Sequence, residues 1–306
     1  MHAPSFSRRN FLAAATVALC PLGLRNIAAT IDPFQRTRPS HLKLSIAAYS
    51  YRDLLDFKNP KLDMFGFVDL AADLALDAVE PTSYWFPEGF DDAYLRRLQQ
   101  YAFLRGLDIS GTAIRNDFCL APGPKLDDEL KQVSHWIDRA SVLGAPVMRV
   151  FGGNVPVGEN ETAVVKRAVG NIESLLPQAV EKGVLLALEN HGGITETPDQ
   201  LLRIVQAVEA PNGGFGVNLD TGNFHGDDPY ADIARLAPYA VNVQVKTEIS
   251  RRRKPKEVAE LSTIVQILRE AKYSGYVVLE YEAAANPFEA IPEIVAQLRT
   301  LIRSDA

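Results

Sequence analysis

The chain has 306 residues, 47% of them hydrophobic and 23% charged, with a formal net charge of −6. This is the balance of an ordinary globular protein, long enough for one barrel-sized domain or two small ones. An acidic chain without a basic stripe interleaved with aromatics gains nothing from nucleic acid, so that class of partner is excluded.

The first element is not part of the fold. Ser7-Arg8-Arg9-Asn10-Phe11-Leu12 is a twin-arginine pattern, followed by an apolar run from Ala13 to Leu24. That run is too short and too rich in small residues to span a bilayer as a mature helix. It reads as an export signal covering residues 1–29, cleaved near Ala28 or Ala29, which places the mature protein in the periplasm with no membrane span. Cys119 is then the only mature cysteine, so no intrachain disulfide can form despite the oxidising destination. Export in the folded state also suits a cofactor loaded beforehand. Residues 30–41 are polar, hold two prolines and read as a linker or an irregular arm over the domain that follows.

From Leu42 to the end, apolar runs alternate with amphipathic stretches. Strands are predicted at Leu42 to Tyr49, Asp77 to Glu80, Leu107 to Ile114, Pro146 to Phe151, Val184 to Glu189, Gly214 to Leu219, Ala240 to Val245 and Tyr276 to Tyr281. Helices fall between them, at Met64 to Leu76, Asp91 to Arg105, Lys125 to Leu143, Glu161 to Lys182, Pro198 to Val208, Pro229 to Leu236, Lys256 to Lys272 and Pro287 to Arg303. Unbroken strand–helix alternation implies a parallel sheet with crossover helices. Eight units over residues 42–306 match a closed (β/α)8 TIM barrel better than an open doubly wound sheet. No G-x-G-x-x-G follows the first strand, against a dinucleotide fold.

In such a barrel the chemistry sits at the carboxyl ends of the strands. Five apolar residues, V-L-L-A-L, run straight into Glu189-Asn190-His191 and two glycines. A carboxylate there is costly to bury unless it binds a cation or takes part in chemistry. The next strand ends N-L-D-T-G-N, the next V-N-V-Q-V-K and the last V-V-L-E-Y-E. Alternation turns Asn242, Gln244, Lys246, Glu280 and Glu282 toward the barrel axis. Glu189, Asp220, Gln244 and Glu280 are thereby aimed at one region, where three carboxylates would repel without a cation. Oxygen donors throughout point to a hard divalent metal.

L-A-L-E-N-H, L-D-T-G-N, V-Q-V-K-T and V-L-E-Y-E together resemble the xylose isomerase-like barrel superfamily, the sugar phosphate isomerase/epimerase group, over residues 42–303. The resemblance implies a single metal held by Glu189, Asp220, Gln244 and Glu280, with Glu189 and Glu280 also serving as the acid/base pair. Three positions depart from the family pattern. Gln244 stands where a histidine is usual, which favours Mn²⁺ or Mg²⁺ over Zn²⁺. Asn223 replaces a substrate-contacting histidine, with His225 two residues on, and Thr247 replaces the aspartate that often follows the lysine.

Other residues carry two readings each. His191 is a substrate contact or proton carrier, or a loop histidine that caps a helix; His225 reads as a loop residue. Lys246 holds a substrate oxygen or phosphate, or neutralises Glu280 or Glu282. Tyr49, Tyr51, Tyr84, Trp85 and Phe86 stack on a sugar face or plug the barrel mouth. Arg149 on strand four is expected to pair with Glu80 as a structural bridge. Arg251-Arg252-Arg253-Lys254 is a solvated run or a recruiter of anions.

The expected substrate is a small carbohydrate, with Tyr49, Trp85, His191, Asn223 and Lys246 as its contacts. The expected chemistry is proton transfer through an enediolate, giving isomerisation or epimerisation. The same enediolate can expel a β-substituent, which makes a lyase or dehydratase acting on a keto-sugar or 3-keto-glycoside the alternative. An endonuclease IV-like nuclease would need more histidines, and a non-catalytic sugar-binding protein would not need the acidic quartet. The sequence leaves a homo-oligomer open.

Overall fold

The computed structural model describes residues 31–56 and 60–304. The twin-arginine segment and its cleavage region therefore lie outside the described residues. Among these residues, β1 (Leu42–Ala47), β2 (Ala78–Glu80), β3 (Asp108–Ile109), β4 (Thr112–Ala113), β5 (Val147–Val150), β6 (Leu185–Glu189), β7 (Phe215–Asp220), β8 (Ala240–Val245) and β11 (Gly275–Leu279) form one sheet. All its pairings are parallel, in the order β3-β2-β1-β11-β8-β7-β6-β5-β4. Helices α1 (Met64–Asp73), α2 (Asp92–Phe103), α3 (Pro124–Leu143), α4 (Glu161–Glu181), α5 (Pro198–Ala207), α6 (Pro229–Leu236), α7 (Leu261–Glu270) and α8 (Pro287–Arg303) alternate with the barrel strands.

The element counts follow the predicted eight units with two exceptions. The third predicted strand is broken at Ser110-Gly111, and its halves part company: β3 pairs with β2 and β4 pairs with β5. The barrel closes through this break, helped by a bridge between Thr82 and Ala113 and by the Ser45 and Ser110 hydroxyls 2.7 Å apart. The second exception is a hairpin, β9 (Glu248–Ile249) with β10 (Glu257–Val258), that consumes the start of the helix predicted from Lys256. Its turn holds the arginine run. Arg251 Nε is 2.7 Å from Glu257 and Arg252 Nε 3.3 Å from Asp227, so two of the four cations already face surface acids.

Local chemistry explains the helix limits. Asp63, Asp91, Asn160, Asp228 and Asn286 each accept a backbone N–H at a helix start. Thr197 and Gln200 form the reciprocal capping pair of α5. On α4, Val164, Val165, Ala168, Ile172, Leu175, Leu176 and Ala179 are buried, the three-to-four spacing of a helix face laid on a sheet. The arm at residues 31–41 docks at the amino-terminal end of β8, where Phe34 N donates to Pro238 O (3.0 Å) and Arg36 to Ala240 O (2.5 Å). It covers the end of the barrel away from the strand carboxyl termini.

Candidate active site

The carboxyl ends of β6, β7, β8 and β11 stand side by side: Glu189 is in register with Asn218, Asp220 with Gln244, and Glu280 N donates to Val245 O. Asn190 ties two of these ends together, since its amide donates to Asp220 O (2.8 Å) and accepts from Asp220 N (2.9 Å). Glu189, Asp220, Gln244 and Glu280 are all buried, as sequence alternation predicts. Glu189 and Glu280 border a cavity of about 500 Å³ whose wall also includes Tyr49, Tyr84, Trp85, Arg149, Phe151, His191, Lys246 and Glu282, whereas Asp220 and Gln244 lie behind that wall.

Glu189 is the most heavily held group. Its Oε1 faces His191 Nδ1 (2.8 Å) and Asn223 Nδ2 (2.9 Å), and its Oε2 faces Arg149 Nε (2.8 Å) and Asn218 Nδ2 (3.4 Å). Burial pushes its carboxyl up, but Arg149 and then His191 outweigh this and hold it below the ordinary value. Arg149 thus pairs with Glu189 and not with Glu80, contrary to the sequence expectation. It also donates to Ile114 O (2.6 Å) and lies 4.0 Å from the centre of the Phe151 ring. Burial lowers the guanidinium, yet Glu189 and Tyr84 leave it raised, so it stays charged.

Lys246 is the second internal cation. Its Nζ lies 3.1 Å from Asp220 Oδ2, 3.0 Å from Glu282 Oε2 and 3.0 Å from Asn223 Oδ1. It can reach across because residue 222 is glycine: a Cβ there would lie 2.7 Å from Lys246 Cδ. Burial lowers the ammonium, but Asp220, Glu280 and Glu282 raise it well above its usual value. Asp220 is pushed up to about 6 by burial, against the pull of Lys246 and with a push from Glu189. Its Oδ1 accepts from Gly222 N (2.8 Å), whereas Oδ2 has no aligned hydrogen-bond donor. Glu280 is raised well above the carboxylate range, by burial first and then by Asp220 and Glu189, with Lys246 opposing.

The remaining expected contacts divide. Tyr49, Tyr84 and Trp85 form a ring cluster at the mouth, with Tyr49 and Tyr84 each about 5.5 Å from Trp85. Tyr51 and Phe86 instead point into the core, the latter among Phe90, Tyr94 and Trp136. His191 stacks on Phe151 at 4.2 Å and bonds Glu189, so it is a wall residue of the cavity and not a helix cap. Asn223 bridges Glu189 and Lys246. His225, Lys256 and Glu248 line a second cavity of about 280 Å³ that shares Lys246 and Glu282 with the first. Sequence reasoning missed Asn190, Phe151 and Asn218. The two-residue period that marks Asp220 as inward marks Asn218 as well.

The residue types at the strand ends, three carboxylates and an amide, are oxygen donors of the kind hard cations take. Two protein cations, Arg149 and Lys246, face five acids: Glu80, Glu189, Asp220, Glu280 and Glu282. Asp220 Oδ2 lacks an aligned donor, and Glu280 makes no side-chain hydrogen bond or ion pair among the described residues. All the outstanding donors are oxygens, the set hard cations take. Among the described residues no group of three or more His, Cys, Asp or Glu side chains is placed to hold a metal ion.

The family model of the xylose isomerase-like TIM barrel matches residues 68–301. No curated protein matches the chain. Three solved structures share the fold. A D-psicose 3-epimerase from Clostridium cellulolyticum H10, solved with D-tagatose, is 16% identical, with 85% of this chain and 99% of that one covered at a TM-score of 0.66. A 3-keto-D-glucoside 4-epimerase from E. coli is 14% identical (85% and 99% covered, TM-score 0.63). The "probable 3-DHS dehydratase" of petrobactin synthesis from Bacillus anthracis is 14% identical (86% and 100%, TM-score 0.61). Identities this low establish shared architecture, and sites on one architecture diverge widely in chemistry. With the family match spanning most of the barrel and its strand-end acids gathered at one mouth, this chain belongs to the xylose isomerase-like TIM barrel family.

Proposed function

We propose that this protein is a carbohydrate isomerase or epimerase that moves a proton beside a carbonyl. The carrying observation is that Glu189, at the end of β6, and Glu280, just past β11, face one cavity from strand ends separated by β7 and β8. Two carboxylates on one cavity allow one to take a proton and the other to give one. Glu189, ionised beside Arg149, is the base. Glu280, facing the same cavity, takes the complementary part and returns a proton to carbon. Lys246 supplies positive charge next to the developing enediolate oxygen, and Tyr49 and Trp85 offer ring faces to the sugar. Glu189, Asp220, Gln244 and Glu280 would hold Mn²⁺ or Mg²⁺, which when bound supplies Lewis-acid polarisation of a carbonyl. Of the three solved structures named above, two are epimerases, of a ketose and of a keto-glucoside, and one is a "probable" dehydratase, which supports carbonyl-adjacent chemistry of this kind.

A second reading, β-elimination from a keto-glycoside, is favoured by the adjoining 280 Å³ cavity, which gives a second ring somewhere to sit beyond Lys246 and Glu282. The twin-arginine pattern at Ser7 to Leu12 supports export of either activity to the periplasm, where neutral sugars and glycosides are more accessible than sugar phosphates. Both readings are tested by incubating Mn²⁺-loaded protein with ketoses and 3-keto-glycosides in D₂O and following the mixture by NMR. Deuterium at the carbon beside the carbonyl, with an epimer accumulating, supports the first reading; a released aglycone supports the second. No exchange into any sugar of either class would sink both.

Metal binding should depend on pH in a defined direction. Asp220 has a folded value of about 6 against its ordinary 3.8. In the metal-free protein its contribution to stability is therefore full below about pH 4 and lost as pH rises through about 6. A divalent ion bound through Asp220 must displace that proton, so Mn²⁺ affinity should rise as pH passes upward through about 6, with proton release. Calorimetric titration in buffers of different ionisation enthalpy reads both quantities. An affinity that does not change as pH passes through about 6 would remove Asp220 from the ligand set.

A further inference from the structure

We propose that the smaller cavity beside the active site is a subsite for a second, hydroxyl-bearing ring, so that the substrate is a keto-sugar joined to another sugar and not a monosaccharide or an aryl glycoside. This rests on the reading of the larger cavity as the seat of a carbonyl-bearing ring. The two cavities, of about 500 and about 280 Å³, share Lys246 and Glu282. Lys246 Nζ lies 3.0 Å from Glu282 Oε2 and 3.0 Å from Asn223 Oδ1. The atoms that join two rings would cross here, between an ammonium that donates and a carboxylate that accepts. A volume of about 280 Å³ falls just under the range for whole small-molecule ligands, roughly 300–1,000 Å³, and suits one ring of a larger substrate.

The lining selects the kind of ring. No Phe, Tyr, Trp, Leu, Ile, Val or Met among the described residues lines the smaller cavity, whereas Tyr49, Tyr84, Trp85 and Phe151 line the larger one. An aromatic aglycone needs apolar faces and finds none there. An anionic group finds no surplus of positive charge: Lys246 faces Asp220 and Glu282, and Lys256 Nζ lies 3.9 Å from Glu248 Oε2. What remains is a wall of donors and acceptors from Asn223, His225, Thr247, Glu248 and Lys256. Thr247 Oγ1 is buried and has no hydrogen-bond partner among the described residues. A hydroxyl left in that state is costly, and a hydroxyl of a bound ring can pair with it. The wall is also fixed in advance. His225 stands on the loop after β7, and Thr247, Glu248 and Lys256 belong to the β9–β10 hairpin and its approaches. Arg252 N donates to Gly226 O (2.9 Å), Arg251 Nη1 to Asp227 O (3.2 Å) and Ala259 N to Thr247 O (2.9 Å). The arginine run thus fastens the hairpin to the loop between β7 and α6, and a wall held beforehand loses less freedom on binding.

The test is titration of the full chain, with and without Mg²⁺, with three 3-keto-glucosides that share one ring and differ in the attached group: methyl, phenyl and glucosyl. Ligand-observed NMR reads each affinity. The glucosyl compound is expected to bind about 10-fold more tightly than the methyl one, the return on one or two added hydrogen bonds, and the phenyl compound no more tightly than the methyl one. Thr247→Val and Lys256→Ala should each cut the glucosyl advantage to about threefold or less and leave the affinity for the methyl compound unchanged. Thr247→Val should also melt no lower than the wild type, since the hydroxyl it removes has no partner. Lys256 is exposed, so its variant carries the comparison should Thr247→Val fail to fold. Equal affinity for all three compounds, a preference for phenyl, or a glucosyl advantage that survives both substitutions overturns the proposal while leaving the keto-ring reading intact. Failure of all three to bind strikes that reading and the proposal with it.

Discussion

Glu280→Gln should reduce solvent-deuterium exchange into the substrate by about 10²–10⁴-fold, the span typical of a positioned acid or base, with no loss of thermal stability. The two halves of this expectation have one cause. Glu280 is buried, raised well above the carboxylate range, and makes no side-chain hydrogen bond or ion pair among the described residues that its removal would break. An amide of the same shape removes the proton-transfer group while relieving the crowding of like charge from Asp220 and Glu189. Glu189→Gln should lose exchange to a similar extent but should also unfold at lower temperature, because it leaves Arg149 buried without its counter-ion. NMR-monitored exchange and a thermal melt on each variant check the pair. Exchange at the wild-type rate in both would remove them as acid and base.

Arg149→Met carries the largest expected effect on stability. Arg149 and Glu189 are 5% and 3% exposed at their side chains, so neither charge has water to fall back on. Breaking one side of a buried pair costs about 3–5 kcal/mol, and in a domain of this size that lowers Tm by roughly 10 °C. Removing both charges together, as Arg149→Met with Glu189→Gln, should cost less than the sum of the single changes, since the stranded charge is the main penalty in each. Thermal and denaturant unfolding of the three variants reads the coupling. Strict additivity would mean that the contact at 2.8 Å is incidental.

Much of this was legible in the chain. The strand-end acids Glu189, Asp220 and Glu280 show because an apolar run breaks abruptly into a charge, and burial makes that pattern costly without a purpose. The inward turn of Gln244 and Lys246 follows from a period of two. What the period cannot supply is distance across the barrel. Arg149 has two carboxylates within its reach in principle, Glu80 and Glu189, and only the closed ring shows that Asn242 and Gln244 have already claimed Glu80. The break at Ser110-Gly111 did carry a local signal, a Ser-Gly pair inside a strand, but that pair says only that the strand is interrupted and not that its two halves pair with different neighbours. The β9–β10 hairpin was masked by its own charges, because a run of four cations reads as solvated surface whether or not a ladder lies beneath it.

That divided third strand has a consequence for how the molecule comes apart. Every other joint around the ring is fastened by three to five registered residue pairs, whereas the two joints flanking the break have two each. Short ladders open at lower free energy than long ones. The ring should therefore first part at this seam, and amide protons of residues 108–113 should trade with solvent ahead of those in β6, β7 and β8. The ligand-bearing staves would then stay fastened to one another while the opposite wall breathes.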